Sequence, residues 1–176
     1  MKYVFLDVEC SGLIGTTKIR QEVWPRICEL YAVTYDEENK VAEFDSLIDP
    51  GRKISSEIVG ITGITNEMLE GQPDLKSKSE EIRAIIEDAD FAVAHNLTFD
   101  KTVIDCEYLR LGLPPIKWPA LLCTVEESSH YLMRRLKLSE LHEFLFGEGF
   151  PAAHRAKNDV EALVRCFIEM HKRGDI

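Results

Sequence analysis

From Lys2 to Glu9 the chain is apolar and rich in β-forming residues, and Ser11-Gly12 closes the run with turn chemistry. This predicts a central strand that ends beside Asp7 and Glu9. Ile27 to Asp36 and Lys40 to Asp49 are two further extended runs, joined by the polar segment Glu37-Glu38-Asn39, so an antiparallel hairpin extends the first strand into a meander. Ser77-Lys78-Ser79-Glu80 has the spacing of a capping box, and Ile82, Ile85 and Ile86 mark one face of a helix ending near Ala89. Phe91 to Ala94 is a short buried strand. After His95-Asn96 the period changes to that of a helix, with Phe99, Val103, Cys106 and Leu109 on one stripe, until Gly112 and Pro114-Pro115 stop it.

Thr124 and Glu127 offer another capping box, opening a helix through Leu132, and a short strand is expected just before it at Leu121-Leu122. Leu138, Leu141 and Leu145, followed by Gly147, describe the next helix and its stop. The last helix has the clearest pattern, with Val160, Leu163, Val164, Phe167, Ile168 and His171 along one face and Asp159 in its first turns. Three antiparallel strands followed by alternating helices and strands predict an α/β fold, a mixed five-stranded sheet flanked by helices.

With 176 residues, 45% of them hydrophobic, the chain has the size and the core material of one domain, expected to span 1–176. Its five cysteines are odd in number and contain no Cys-x-x-Cys pair, which favours buried free thiols in a reducing, cytoplasmic setting. No stretch is apolar enough to span a membrane, because Asp7 and Glu9 interrupt the first one. The net charge of −10 argues against binding to phosphates through Lys and Arg alone. It argues less against a metal-assisted partner, since bound divalent ions reverse the charge a phosphate meets.

Four acids and a histidine fall where strands end or helices begin: Asp7-Val8-Glu9, His95-Asn96-Leu97-Thr98-Phe99-Asp100, and His154 with Asp159 five residues later. Asp7 and Glu9 are two apart on a strand and share a face. Like charges placed so closely destabilise a sheet unless something neutralises them, and a hard cation does so with oxygen ligands. Taken singly, each string has a plain structural explanation: a solvated edge strand, a helix cap at Asp100 or Asp159, a loop imidazole. Three such strings together point to a two-metal site that hydrolyses nucleic-acid phosphodiesters. Zinc is not expected, because His95, His130, His142 and His171 lack metal-ligand spacing with the cysteines.

These motifs resemble those of the DEDDh, or DnaQ-like, 3′-to-5′ exonucleases of the proofreading type. Asp7-x-Glu9 with Ser11-Gly12-Leu13 matches the first motif of that family, His95-Asn96-x-x-Phe99-Asp100 the second and His154-x-x-x-x-Asp159 the third. Ile61 to Leu69 resembles its Gly-Ile-Thr segment, and Arg26 to Leu30 its second strand. A tyrosine four residues before Asp159 would mark the sister subgroup, but position 155 is Arg.

The resemblance implies a ribonuclease H-like fold in which Asp7, Glu9, Asp100 and Asp159 hold two Mg²⁺ or Mn²⁺ ions, with His154 taking the proton of the attacking water. It places Cys10, Ser11, Gly12 and Leu13 along the pocket for the terminal nucleotide, with Leu13 as an apolar wedge and Phe99 as a stacking surface. Asn96 would bond to substrate or hold the turn. Thr62 belongs to the same substrate-binding set, at a position where many members carry a histidine. Cys10 replaces a common hydroxyl, and Gly15 to Trp24, carrying Lys18 and Arg20, differs from the short loop of the family.

Single-stranded DNA is therefore the expected substrate, with nucleoside 5′-monophosphates as products and a DNA polymerase as a partner. Three alternatives remain: RNA trimming, a polymerase-associated interaction module with little activity, and a ribonuclease H-like endonuclease. Arg155 and Lys157 are the basic residues nearest the acids in sequence; Arg134, Arg135 and Lys137 form a second basic cluster.

Overall fold

The fold grows from the first strand, whose two faces meet different helices. In the computed structural model, which describes residues 1–12, 24–150 and 154–176, β1 (Lys2–Cys10) is the central strand of a five-stranded sheet. Its neighbours are β2 (Ile27–Asp36), antiparallel, and β4 (Phe91–Ala94), parallel. The edges are β3 (Asn39–Leu47), antiparallel to β2, and β5 (Ala120–Cys123), parallel to β4. A mixed five-stranded sheet flanked by helices is the architecture expected from the order of the elements.

Strand alternation sorts β1 into two sets of side chains. Val4, Leu6, Val8 and Cys10 enter the larger core with Ile82 and Ile86 of α3 (Leu75–Glu87) and Val103 and Ile104 of α4 (Leu97–Arg110). Phe5 points the other way, against Val160, Leu163, Val164 and Phe167 of α7 (Ala156–Arg173). Asp7 and Glu9 continue the Phe5 side, and so does Glu29 of β2, in register opposite Glu9. The side of the sheet that receives the last helix is therefore the side that carries the first acids. A register shift between Glu9 and Cys10 then ends the regular pairing.

Several local expectations shift. Asn39 pairs with Asp36, so the hairpin turn is Glu37-Glu38 alone, with Glu37 in the left-handed region at φ 56°. Asp74, not Ser77, caps α3: its Oδ1 accepts from the Ser77 amide at 2.7 Å, and Leu75 joins the buried face. In α4 the buried residues are Leu97, Asp100, Val103, Ile104, Glu107 and Tyr108, whereas Leu109 is 62% exposed. The expected stripe at Phe99, Cys106 and Leu109 is thus rotated, because Tyr108 rather than Leu109 enters the core and donates its hydroxyl to the Ser79 carbonyl.

The helix begun at Thr124 is one turn, α5 (Thr124–Glu127), capped without a side-chain bond, and the chain then turns irregularly to α6 (Leu138–Phe146). Gly147, at φ 73°, closes α6 as its position suggested. In α7, Ile168 and His171 are exposed while Cys166 and Met170 are buried, because α6 packs on that flank. Two short helices, α1 (Ser56–Thr62) and α2 (Asn66–Leu69), complete the structure. All five cysteines are free, and no helix among the described residues is long and apolar enough to cross a membrane.

Candidate active site

The sheet and α7 bring three carboxylates together. One ligand oxygen each from Asp7, Glu9 and Asp159 lie within 4.8 Å of one another, all three side chains being half-buried. Asp159 arrives from the first turn of α7, which is fixed over this face by the packing of Phe167 on Phe5. Asp100 stands beside them from the first turn of α4. It is 2% exposed, and its Oδ1 accepts from the Val8 amide at 3.1 Å, so β1 itself orients the fourth carboxylate.

Such a cluster resists ionisation. Burial first, then the carboxylates of Asp100, Glu9, Asp159 and Glu29, hold Asp7 well above the ordinary range. Burial and the charges of Asp159, Glu29 and Asp100 push Glu9 up to about 8. Burial raises Asp100 to about 7 against the pull of the Val8 amide, and burial also raises Asp159. Among the described residues, no lysine or arginine forms an ion pair with any of the four. Carboxylates converging with no ion-pair partner among the described residues fit hard divalent cations, which bind through oxygen and leave positions for water and phosphate.

His154 stands at the mouth of this cluster, exposed and in the left-handed region at φ 70°. Its backbone amide donates to Asp159 Oδ2 at 2.7 Å, which ties the histidine to a ligand through the main chain. The next residue supplies a latch that sequence reasoning missed. Arg155 donates from Nε and Nη2 to Glu29, the shortest contact being 2.7 Å to Oε1, and the Ala156 amide donates to Glu29 Oε2 at 3.0 Å. A 3%-exposed carboxylate on β2 therefore caps the start of α7 from across the sheet. An acid inside the apolar run Ile27–Val33 was the available signal.

Arg155 is thus committed to Glu29 rather than turned toward a substrate. Lys157 is likewise engaged, 3.4 Å from Asp45 and 3.7 Å from Glu43.

The remaining sequence-selected residues divide by what their polar atoms do. Cys10 is buried, its thiol donates to the Gly12 carbonyl at 3.0 Å, and burial pushes it up to about 12. Ser11 Oγ accepts from the Arg26 amide and from Arg52 Nη2, the latter at 2.7 Å. The Thr62 hydroxyl donates to the Ile58 carbonyl and accepts from the Ile64 amide, which turns it into its own helix. Phe99 is half-buried and packs on the larger core. Leu13 and the basic Lys18 and Arg20 lie outside the described residues.

His95 ligates nothing. Its Nε2 donates to the Leu136 carbonyl at 2.9 Å and its Nδ1 accepts from the Thr124 hydroxyl at 3.0 Å, so the ring is a neutral brace. Burial lowers its proton affinity further. Asn96 holds the turn into α4 with a left-handed backbone, φ 74°, and its Oδ1 accepts from Arg135 at 3.0 Å.

Comparison with known proteins identifies the family and the fold. The PolC-type DNA polymerase III of Pediococcus pentosaceus is 33% identical over 161 residues, which cover 91% of this chain and 11% of that protein. That of Halalkalibacterium halodurans is 32% identical over 163 residues, 92% of this chain and again 11% of the relative. The chain thus spans about a tenth of the length of these relatives.

Among solved structures, the zinc-bound form of E. coli exonuclease I with single-stranded DNA superposes with a TM-score of 0.81 at 18% identity, over 98% of this chain and 41% of that one. Exonuclease X in complex with 5′-overhanging duplex DNA gives 0.67 at 21% identity, over 98% and 93%. Both share the fold. Residues 4–167 match the family described as RNase_T, Exonuclease, so the chain belongs to the exonuclease family of the DEDDh type.

Proposed function

We propose that the chain removes nucleotides one at a time from the 3′ end of single-stranded DNA and releases nucleoside 5′-monophosphates. The observation that carries this reading is the convergence of Asp7, Glu9 and Asp159 within 4.8 Å, with Asp100 alongside and no lysine or arginine among the described residues in ion-pair contact with them. Two divalent metal ions, Mg²⁺ or Mn²⁺, held by Asp7, Glu9, Asp100 and Asp159, would supply an activated water and stabilise the leaving oxygen.

The protein's own groups do the rest. Asp7 and Glu9 present oxygens from a strand that cannot shift without disturbing the sheet, and Asp100 is oriented by the Val8 amide. His154 is exposed and tied by its amide to Asp159, which supports the assignment of its imidazole as acceptor of the proton of the attacking water. The Glu29–Arg155 latch keeps that histidine and Asp159 at the same end of α7.

The relatives are named DNA polymerases, and one of the structural neighbours is a complex with single-stranded DNA, which favours DNA over RNA and a polymerase as partner. The test is a time course on matched, 5′-labelled single-stranded DNA and RNA with Mg²⁺ or Mn²⁺, beside Asp7→Ala. A one-nucleotide ladder that shortens from the 3′ end, runs faster on DNA and disappears in the variant is expected. No ladder on either substrate would turn the reading toward a polymerase-associated module. A faster ladder on RNA would make the enzyme an RNA trimmer, and cleavage of a circular strand would make it an endonuclease.

A further inference from the structure

Asp159 and His154 open onto a groove of about 730 Å³ whose walls also include Asn96, Arg135, Lys137 and Phe150. We propose that this groove carries the single strand leading up to the bond that is cut, and that Arg135 grips its backbone phosphate. The inference rests on the exonuclease reading and adds to it a track and a phosphate contact. A strand threaded to a hydrolytic centre needs an open path away from it, and among the cavities of the described residues this is the one that includes both Asp159 and His154.

Charge decides which side chain meets the strand. On a protein of net charge −10, a polyanion is held where a cation is unopposed or has a partner exposed enough to be displaced. Arg155 and Lys157 are tied to Glu29, Asp45 and Glu43, and Arg134 lies 2.9 Å from Glu140 on a bidentate pair. Arg135 differs. Its only acidic contact among the described residues is Glu126, at 3.2 Å, with both side chains about 60% exposed at 60% and 59%. An exposed pair of this kind contributes on the order of 0–1 kcal/mol, so a phosphate can displace it. Glu126 acts as a placeholder for the phosphate.

The groove wall is also built, and by the residues of the second sequence motif that hold no metal. His95 grips the Leu136 carbonyl, fixing the backbone next to Arg135, and Asn96 aims the guanidinium with its side-chain oxygen. This gives a purpose to the left-handed backbone at Asn96. A fork held on one side by an amide oxygen presents its remaining N–H groups in the plane that phosphate oxygens favour.

The test is binding of a fluorescent single-stranded DNA decamer with a nuclease-resistant phosphorothioate backbone, read by anisotropy, together with KM on the ordinary decamer and on a dinucleotide. Arg135→Ala should weaken decamer binding about tenfold at low salt and flatten the slope of log affinity against log salt by about 0.7. Its effect on KM should be larger for the decamer than for the dinucleotide, with kcat little moved. Glu126→Ala should do the opposite and tighten the decamer. Lys76→Ala, which removes an exposed charge from α3, serves as the control for net charge and should change neither.

Equal effects of Arg135→Ala on decamer and dinucleotide, an unaltered salt slope, or weaker binding in Glu126→Ala would overturn the track. The parent reading fails separately. Should the wild-type protein cut nothing while Arg135→Ala still loses the decamer, the groove stands and the exonuclease reading falls.

Discussion

The end of β1 and the start of α7 supply the same kind of side chain by opposite means. At β1 the carboxylates of Asp7 and Glu9 are carried by the central strand, with partners on both sides, and Asp100 is locked to its backbone. At α7, Asp159 and His154 stand where a helix begins, His154 exposed and left-handed, and their position depends on a latch of one carboxylate and one guanidinium. The first region is a platform that the whole core enforces; at the second, its counterpart, the helix is packed on the sheet, but the residues that open it are set by a few polar contacts. Metal ligands tolerate little displacement, whereas a proton acceptor must reach a water that arrives with the substrate.

The largest expected effect comes from the platform. Asp7→Asn should lower single-turnover cleavage by at least about 1,000-fold, because it removes the proposed metal ligand that feels the charges of the other three acids. It should also leave melting in the absence of divalent ions unchanged or higher, since it deletes one member of a mutually repelling cluster. A variant that unfolds would show Asp7 to be structural.

On the counterpart, His154→Ala should reduce kcat by about 100-fold to 10,000-fold. The rise in melting temperature produced by Mn²⁺ should survive, because the imidazole is outside the proposed ligand set; its loss would place His154 among the ligands.

Breaking the latch should be milder. Glu29→Gln and Arg155→Met should each lower activity by about 10-fold to 100-fold, as removal of groups that orient ligands does. Their combination should be no worse than either alone. In equilibrium unfolding the pair should show a coupling of about 0.5–3 kcal/mol, toward the lower end because Arg155 is partly exposed. Fully additive losses would mean that the two side chains act independently.

The smallest effect is on pH dependence. Glu9 and Asp100, at about 8 and about 7, hold protons in the folded protein that the unfolded chain has released. The native state therefore binds more protons, and stability falls as pH rises through these values. The neutral His95 contributes in the opposite sense, but below about pH 6.5. Without divalent ions the melting temperature should drop by a few degrees between about pH 6.5 and 8. The gain from added Mn²⁺ should be greater at pH 8, since binding requires ionised carboxylates. A metal-free melting temperature that rises across this window would contradict the electrostatic picture.

Much of the platform was legible in the sequence because strand alternation is a local rule: once Lys2 to Glu9 reads as a strand, Asp7 and Glu9 share a face. Asp100 and Asp159 were legible as acids opening helices. The face they would turn to was not, since α4 rotates to bury Tyr108 in place of Leu109, a choice made by Ser79 some thirty residues away. The latch was hidden for a similar reason. Glu29 and Arg155 are 126 positions apart, and no periodicity links a buried acid on one strand to a basic residue before the last helix. In the sequence Arg135 was only one member of a basic cluster, because its aim depends on Asn96 and on a backbone held by His95.

The order of the ligands along the chain has a consequence for synthesis. Asp7, Glu9 and Asp100 precede α7, and the sheet that holds the first two is complete once β5 has formed. Asp159 and the arginine that docks its helix come afterwards. A chain still leaving the ribosome would therefore display three of the four proposed ligands on a nearly finished scaffold. The proposed set would close in a single later event, when α7 packs onto the aromatic face of β1, so the ability to cut would follow the docking of that helix and not the formation of the sheet.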